Sequence, residues 1–175
     1  MNGIDVAAGV LRLTLGTIML VHGLGHAFAG GKLSGTARWF DDIGLRPGRV
    51  HAVAATVTEA GAGVLLLLGA ATPLAAAAVV ATMLVAFVTS HRRNGFFIYN
   101  PGQGWEYVAV LGMVALALAA VGPGRWSIDQ AVGFSPSATL ALGITAGAGV
   151  LAATALLAAA WRPQRNRAGA QAVSG

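Results

Sequence analysis

The sequence predicts an all-α integral membrane protein, and three observations carry that prediction. The 175 residues are 56% hydrophobic and only 10% charged, with a mean hydropathy of +0.71. A soluble domain carries about 25% charged and about 45–50% apolar residues. Five long apolar runs follow one another along the chain, and the lysines and arginines gather in the connections on one side of them. This composition excludes a disordered tail, a nucleic-acid binder built on a charged surface, and most ordinary globular enzymes. The absence of cysteine excludes a structural disulfide, a CxxC redox motif, thiolate zinc and a cysteine-ligated iron–sulfur cluster. Any redox role therefore depends on a bound cofactor or a partner.

The first run, Val6–Phe28, is long enough to cross a hydrocarbon core of about 30 Å. It is not a cleavable signal peptide, because Met1–Asp5 carries no basic residue and Arg12 interrupts the apolar stretch. Gly9, Gly16 and Gly23 recur on one helical face with Arg12 and His26 among them, a small-residue groove suited to packing against another helix. His22 lies beside His26 on the same side. In the connection that follows, Gly35–Ile43 sets Trp39, Phe40 and Ile43 opposite Arg38, Asp41 and Asp42, which predicts a short helix in the headgroup plane.

The second run, Val50–Gly69, begins with His51 and carries Glu59 on a face with Thr56 and Gly63. Only a short turn around Thr72-Pro73 separates it from the third run, Leu74–Ser90, so the two form a tight antiparallel hairpin, with Pro73 in the first turn where its missing N–H is not needed. His91 closes that run. Asn94–Gly104 then holds Phe96, Phe97 and Tyr99 before an Asn100-Pro101-Gly102 turn. Two readings fit this loop: an aromatic belt at the interface, or a lid beneath which a hydrophobic ring slides. The fourth run, Trp105–Val121, opens on Glu106, and the fifth is Ala138–Trp161. Its Gly143 and Gly147 stand at GxxxG spacing, which suggests packing onto a partner or a second copy. Residues 162–175 are polar and Gly/Ala-rich, and are expected to form a disordered tail.

Orientation follows from the cations. Lys32, Arg38, Arg46, Arg49, Arg92, Arg93, Arg162, Arg165 and Arg167 fall on one side, against Arg125 on the other. The positive-inside rule puts the N-terminus outside and the tail in the cytoplasm of a multi-pass cell-membrane protein.

Ionisable groups inside spans are costly, and each marks a site or a structural pair. Helical rise puts Glu59 roughly 13 Å from the cytoplasmic end of its span and Arg12 roughly 9 Å from the outer end of its own. A guanidinium reaches further, so an Arg12–Glu59 ion pair is expected, either fixing helix register or relaying protons. His22, His26, His51, His91 and Glu106 share the cytoplasmic half. Two histidines four apart could ligate a metal or a haem. No HExxH motif or third ligand at diagnostic spacing accompanies them, so neither is predicted. Histidine suits proton movement near neutral pH. His22, His91 and Glu106 are thus the candidate catalytic residues, with a helix-capping role for the last two as the alternative.

Leu11-Arg12-Leu13 with Gly16 and His22-Gly23, Glu59…Gly61/Gly63 through Gly69, and His91…Asn94-Gly95-Phe96-Phe97 together resemble the DoxX family of bacterial membrane proteins. So do Gly104-Trp105-Glu106-Tyr107 and Gly122 through Asp129, so that the resemblance covers roughly residues 9–129. It implies a four-helix transmembrane bundle over residues 1–130, to which 131–161 add a fifth helix. It also implies a membrane subunit of an oxidoreductase complex, similar to those of thiosulfate:quinone oxidoreductases and serving redox homeostasis. Arg12, Glu59, His91 and Glu106 carry over as the polar core; His26 stands where many members have a lysine. On that reading the cofactor is a quinone, held by His26, Phe96, Phe97 and Trp105, and soluble redox enzymes approach the cytoplasmic face. The alternative is a non-catalytic anchor that docks such enzymes. A small transporter is disfavoured, because the sequence shows no broken helices or inverted repeat.

Overall fold

The computed structural model describes residues 2–163, all helices and connections, with no strand among the described residues. The tail from residue 164 onward, including Arg165 and Arg167, lies outside them. Asn2 caps α1 (Gly3–Phe28) by accepting the Asp5 N–H. The helix α2 (Lys32–Asp42) follows, then α3 (Gly48–Leu68) and α4 (Thr72–Ala86). A π-helical turn, Phe87–His91, prolongs α4. After the aromatic loop come α5 (Glu106–Val121), the short α6 (Ile128–Ala131) and α7 (Ala138–Ala160). α1, α3, α4 with its π-turn, and α7 are each long and apolar enough to cross a bilayer. α5 has 16 residues, about 24 Å of helix, and is the short member of the bundle. The outer surface of the bundle is apolar: Leu13, Val21, Val57, Leu74, Val110, Met113 and Leu151 are exposed on it. In water such a girdle would drive association; in lipid it is the solvated surface.

The α1–α3 contact is set by glycine. A Cβ on Gly23 would stand 2.5 Å from the Ala60 nitrogen, and one on Gly63 would stand 2.6 Å from the Leu20 nitrogen. Only hydrogen lets the two backbones come that close. Gly16 faces Gly63 and Leu67 in the same seam, whereas Gly9 meets nothing and takes no part. Leu15 and Met19 of α1, Leu66 of α3, Val79 of α4 and Leu111 and Leu118 of α5 fill the core beside it.

α7 lies against α4. Thr145 donates to the Pro73 carbonyl at 3.0 Å, and Gly149 is the glycine that packs inward, on Val80. Gly143 and Gly147 face outward with open space before them. At its far end α7 is stitched to the α2–α3 connection. The Arg162 N–H donates to Gly44, the Arg46 N–H to Ala160, and the Trp161 indole to the Ile43 carbonyl. α2 is tied on both sides as well: Thr36 donates to the His26 carbonyl, and Asp41 accepts the Gly48 N–H at 2.8 Å. Phe40, buried under α2, joins Leu45 and Ala52 in a second apolar cluster at this end.

Candidate functional site

Between the second cluster and the main core lies a cavity of about 910 Å³. It opens in the half of the bundle where Lys32, Arg38, Arg46, Arg49, Arg92 and Arg93 gather. All four histidines of the chain, His22, His26, His51 and His91, line it together with Glu59. Among the described residues, no lysine or arginine does. The remaining wall is mainly apolar, from α2, α3, α4, α5 and α7, with hydroxyls from Thr58, Thr82, Thr89, Ser90 and Tyr107 and the side chains of Asn94 and Gln103.

The register of the glycine seam places Glu59 across from His26. His26 Nε2 stands 3.2 Å from Glu59 Oε2, and Glu59 is only 6% exposed. That oxygen is buried without a well-formed hydrogen bond. The other imidazoles are oriented by backbone carbonyls. His22 Nδ1 donates to Ile18 at 2.9 Å, and the ring stacks on Tyr107 with centroids 6.1 Å apart. His91 Nδ1 donates to the Gln103 carbonyl at 2.9 Å, and His51 Nε2 to Arg46 at 3.3 Å. The π-turn carries Thr89, Ser90 and His91 into the wall; such bulges recur at functional sites.

The expected Arg12–Glu59 pair does not form. Gly23 sits opposite Thr56–Ala60 and Gly16 opposite Gly63–Leu67, so Arg12 falls beside Gly69, ten residues beyond Glu59 on α3. That is about 15 Å along the axis. Arg12, 5% exposed, instead donates through Nη2 to the Trp126 carbonyl at 2.5 Å, and the carboxylate acting on it is Asp129. Asp129 is itself buried. It accepts the N–H groups of Ala71 and Thr72 at 2.7 and 2.8 Å, neutralising the start of α4. Sequence reasoning missed this anchor. The available signal was a carboxylate just beyond α5, at the same bundle end as Arg12.

Two further expectations are corrected. Phe96, Phe97 and Trp105 do not line the cavity. Phe96 packs edge-on against Trp105 at 4.7 Å and against Phe97 at 5.3 Å, and Phe97 stacks on Tyr99. The rings satisfy one another at the surface, and the loop turns Asn94, Ile98, Gly102 and Gln103 inward instead. Asn94 holds it there, its amide donating to the carbonyls of Ser90, Gly102 and Gln103. Glu106 also stays out of the large cavity. Its carboxylate accepts the Ile98 N–H at 3.1 Å and braces the loop, beside a separate groove of about 280 Å³. His22, His26 and His91 are thus brought together, joined by His51, Glu59 and Tyr107. No group of three metal-ligating side chains converges among the described residues.

Helices sheathed in apolar side chains around a mainly apolar cavity that also carries histidines and a carboxylate define a multi-pass helical membrane protein with a cavity in one half of the bundle. The model of the DoxX family matches residues 7–92, from α1 to the residue after the π-turn, and so takes in every histidine and Glu59; over this stretch the chain is similar to that family. No curated protein and no solved structure matches the chain.

Proposed function

We propose that this protein is a quinone-binding membrane subunit of an oxidoreductase complex, with the cavity around His26 and Glu59 as its binding site. The carrying observation is the make-up of that cavity: about 910 Å³, apolar walls, few polar groups, and a buried carboxylate oxygen lacking a good hydrogen bond. Ligand pockets of about 300–1,000 Å³ with that balance suit an apolar ring carrying polar substituents. A bound quinone would supply a two-electron, two-proton couple. His22, His26, His51 and His91 are the side chains able to hold or move its protons near neutral pH. The exposed cations at the same end, with Arg92 resting over the Trp161 ring at 5.3 Å, support docking of a soluble redox partner with an acidic face. They also support a cytoplasmic location for that end.

Two measurements test this reading. Organic extracts of the protein purified in mild detergent contain near-stoichiometric quinone, which is lost in Ala86→Trp, a substitution that fills the cavity from α4. A folded wild-type protein whose extract holds no quinone overturns the reading and leaves the docking role alone. Reporter fusions after Gly44 and Arg162 report cytoplasm and one after Gly133 reports the exterior; a cytoplasmic signal at Gly133 refutes the orientation.

A further inference from the structure

Three of the four cavity histidines have one ring nitrogen committed to a backbone carbonyl: His22 to Ile18, His51 to Arg46 and His91 to Gln103. A nitrogen facing a carbonyl must carry the proton, so in the neutral ring the opposite nitrogen is an acceptor. Glu59 adds a carboxylate, which accepts only. Several of the donors in the wall are already spent. The hydroxyls of Thr82 and Thr89 donate to Ala78 and Val85 of their own helix, and the Asn94 amide is taken by three carbonyls. The lone-pair imidazole nitrogens and the carboxylate can be matched only by a ligand that donates, while Thr58, Tyr107 and the Gln103 amide remain in the wall as donors.

We infer that the cavity selects the reduced, hydroquinone form of its ligand over the oxidised quinone. The inference rests on the quinone reading above and adds a redox-state preference to it. A quinone offers two carbonyl oxygens and no donor, so it can use neither a lone-pair imidazole nor a carboxylate. A hydroquinone hydroxyl donates to either, and still accepts from Tyr107 or Gln103 at the same wall. Seating the oxidised form would leave the acceptors unpaired, and an unmade buried hydrogen bond is costly. The same inventory argues against a sulfur oxyanion in this cavity, since no lysine or arginine among the described residues reaches it.

The test is equilibrium dialysis of the detergent-solubilised full-length protein against decylubiquinone and decylubiquinol, without oxygen, at about pH 8, above the ordinary imidazole range. Hydroquinone binding at least about tenfold tighter is expected, from one or more added hydrogen bonds. That ratio should shrink in His22→Phe or His91→Phe. Equal affinities, or a tighter quinone, overturn the preference and leave the quinone site standing. Failure of both forms to bind overturns the site as well. A preference that persists in both histidine variants and in Glu59→Gln shows that these acceptors do not create it.

Discussion

Replacing Asp129 by alanine is expected to destabilise the protein by about 3–5 kcal/mol, the typical cost of leaving a buried charge without its partner. Asp129 is 4% exposed and serves two ends at once. Its carboxylate takes the Ala71 and Thr72 N–H groups at the α3–α4 turn, and its charge offsets that of buried Arg12. Alanine orphans two backbone donors and leaves the guanidinium with the Trp126 carbonyl alone, while Arg12 Nε and Nη1 already lack partners. Denaturation of the detergent-solubilised protein measures the loss. Adding Arg12→Met to Asp129→Ala recovers part of it, because the stranded charge is removed. A loss below about 1 kcal/mol in the single variant would mean that the carboxylate is not the anchor of this end.

Gly23→Leu is expected to separate α1 from α3 and to abolish ligand binding along with native stability. The atoms nearest a Cβ there are the Ala60 nitrogen at 2.5 Å and the Thr56 carbonyl oxygen at 2.9 Å, backbone that no rotamer change can move. Overpacking a dense core costs about 1–3 kcal/mol when side chains can yield, and here they cannot. His26 lies three residues further along α1, so the same displacement opens its 3.2 Å approach to Glu59. Gly9→Leu is the control, since a side chain there meets open space. Both variants are compared by thermal denaturation and by the quinone content of their extracts. Equal behaviour of the two would show that the seam is not what holds the helices.

The elements of this fold were legible because their causes are local. Apolar runs marked the five long helices within a few residues, four of them long enough to cross a bilayer and α5 shorter; Thr72-Pro73 marked the hairpin, and Trp39, Phe40 and Ile43 opposite Arg38 and Asp42 marked α2. The polar half-bundle was legible too, since the positions of His22, His26, His51, His91 and Glu59 along their helices fix their depth. Helical rise and periodicity are properties of each segment by itself, and from them the sequence determined where the long helices form, which residues stand at each level, and that one end is polar; the short α6 was not marked.

Partner choice was decided only by tertiary structure. Depth arithmetic allowed Arg12 to meet Glu59. The glycine seam slid α1 against α3 until Gly23 met Ala60, which sent Glu59 to His26 and left Arg12 to Trp126 and Asp129, more than a hundred residues away. The aromatic loop is a second case. Its composition suited a lid, but ring-on-ring packing among Phe96, Phe97 and Trp105 and the brace from Asn94 turned a different set of residues inward. Register and facing are set by contacts between segments distant in sequence. Those contacts depend on which backbones can approach most closely, and no single helix carries that information.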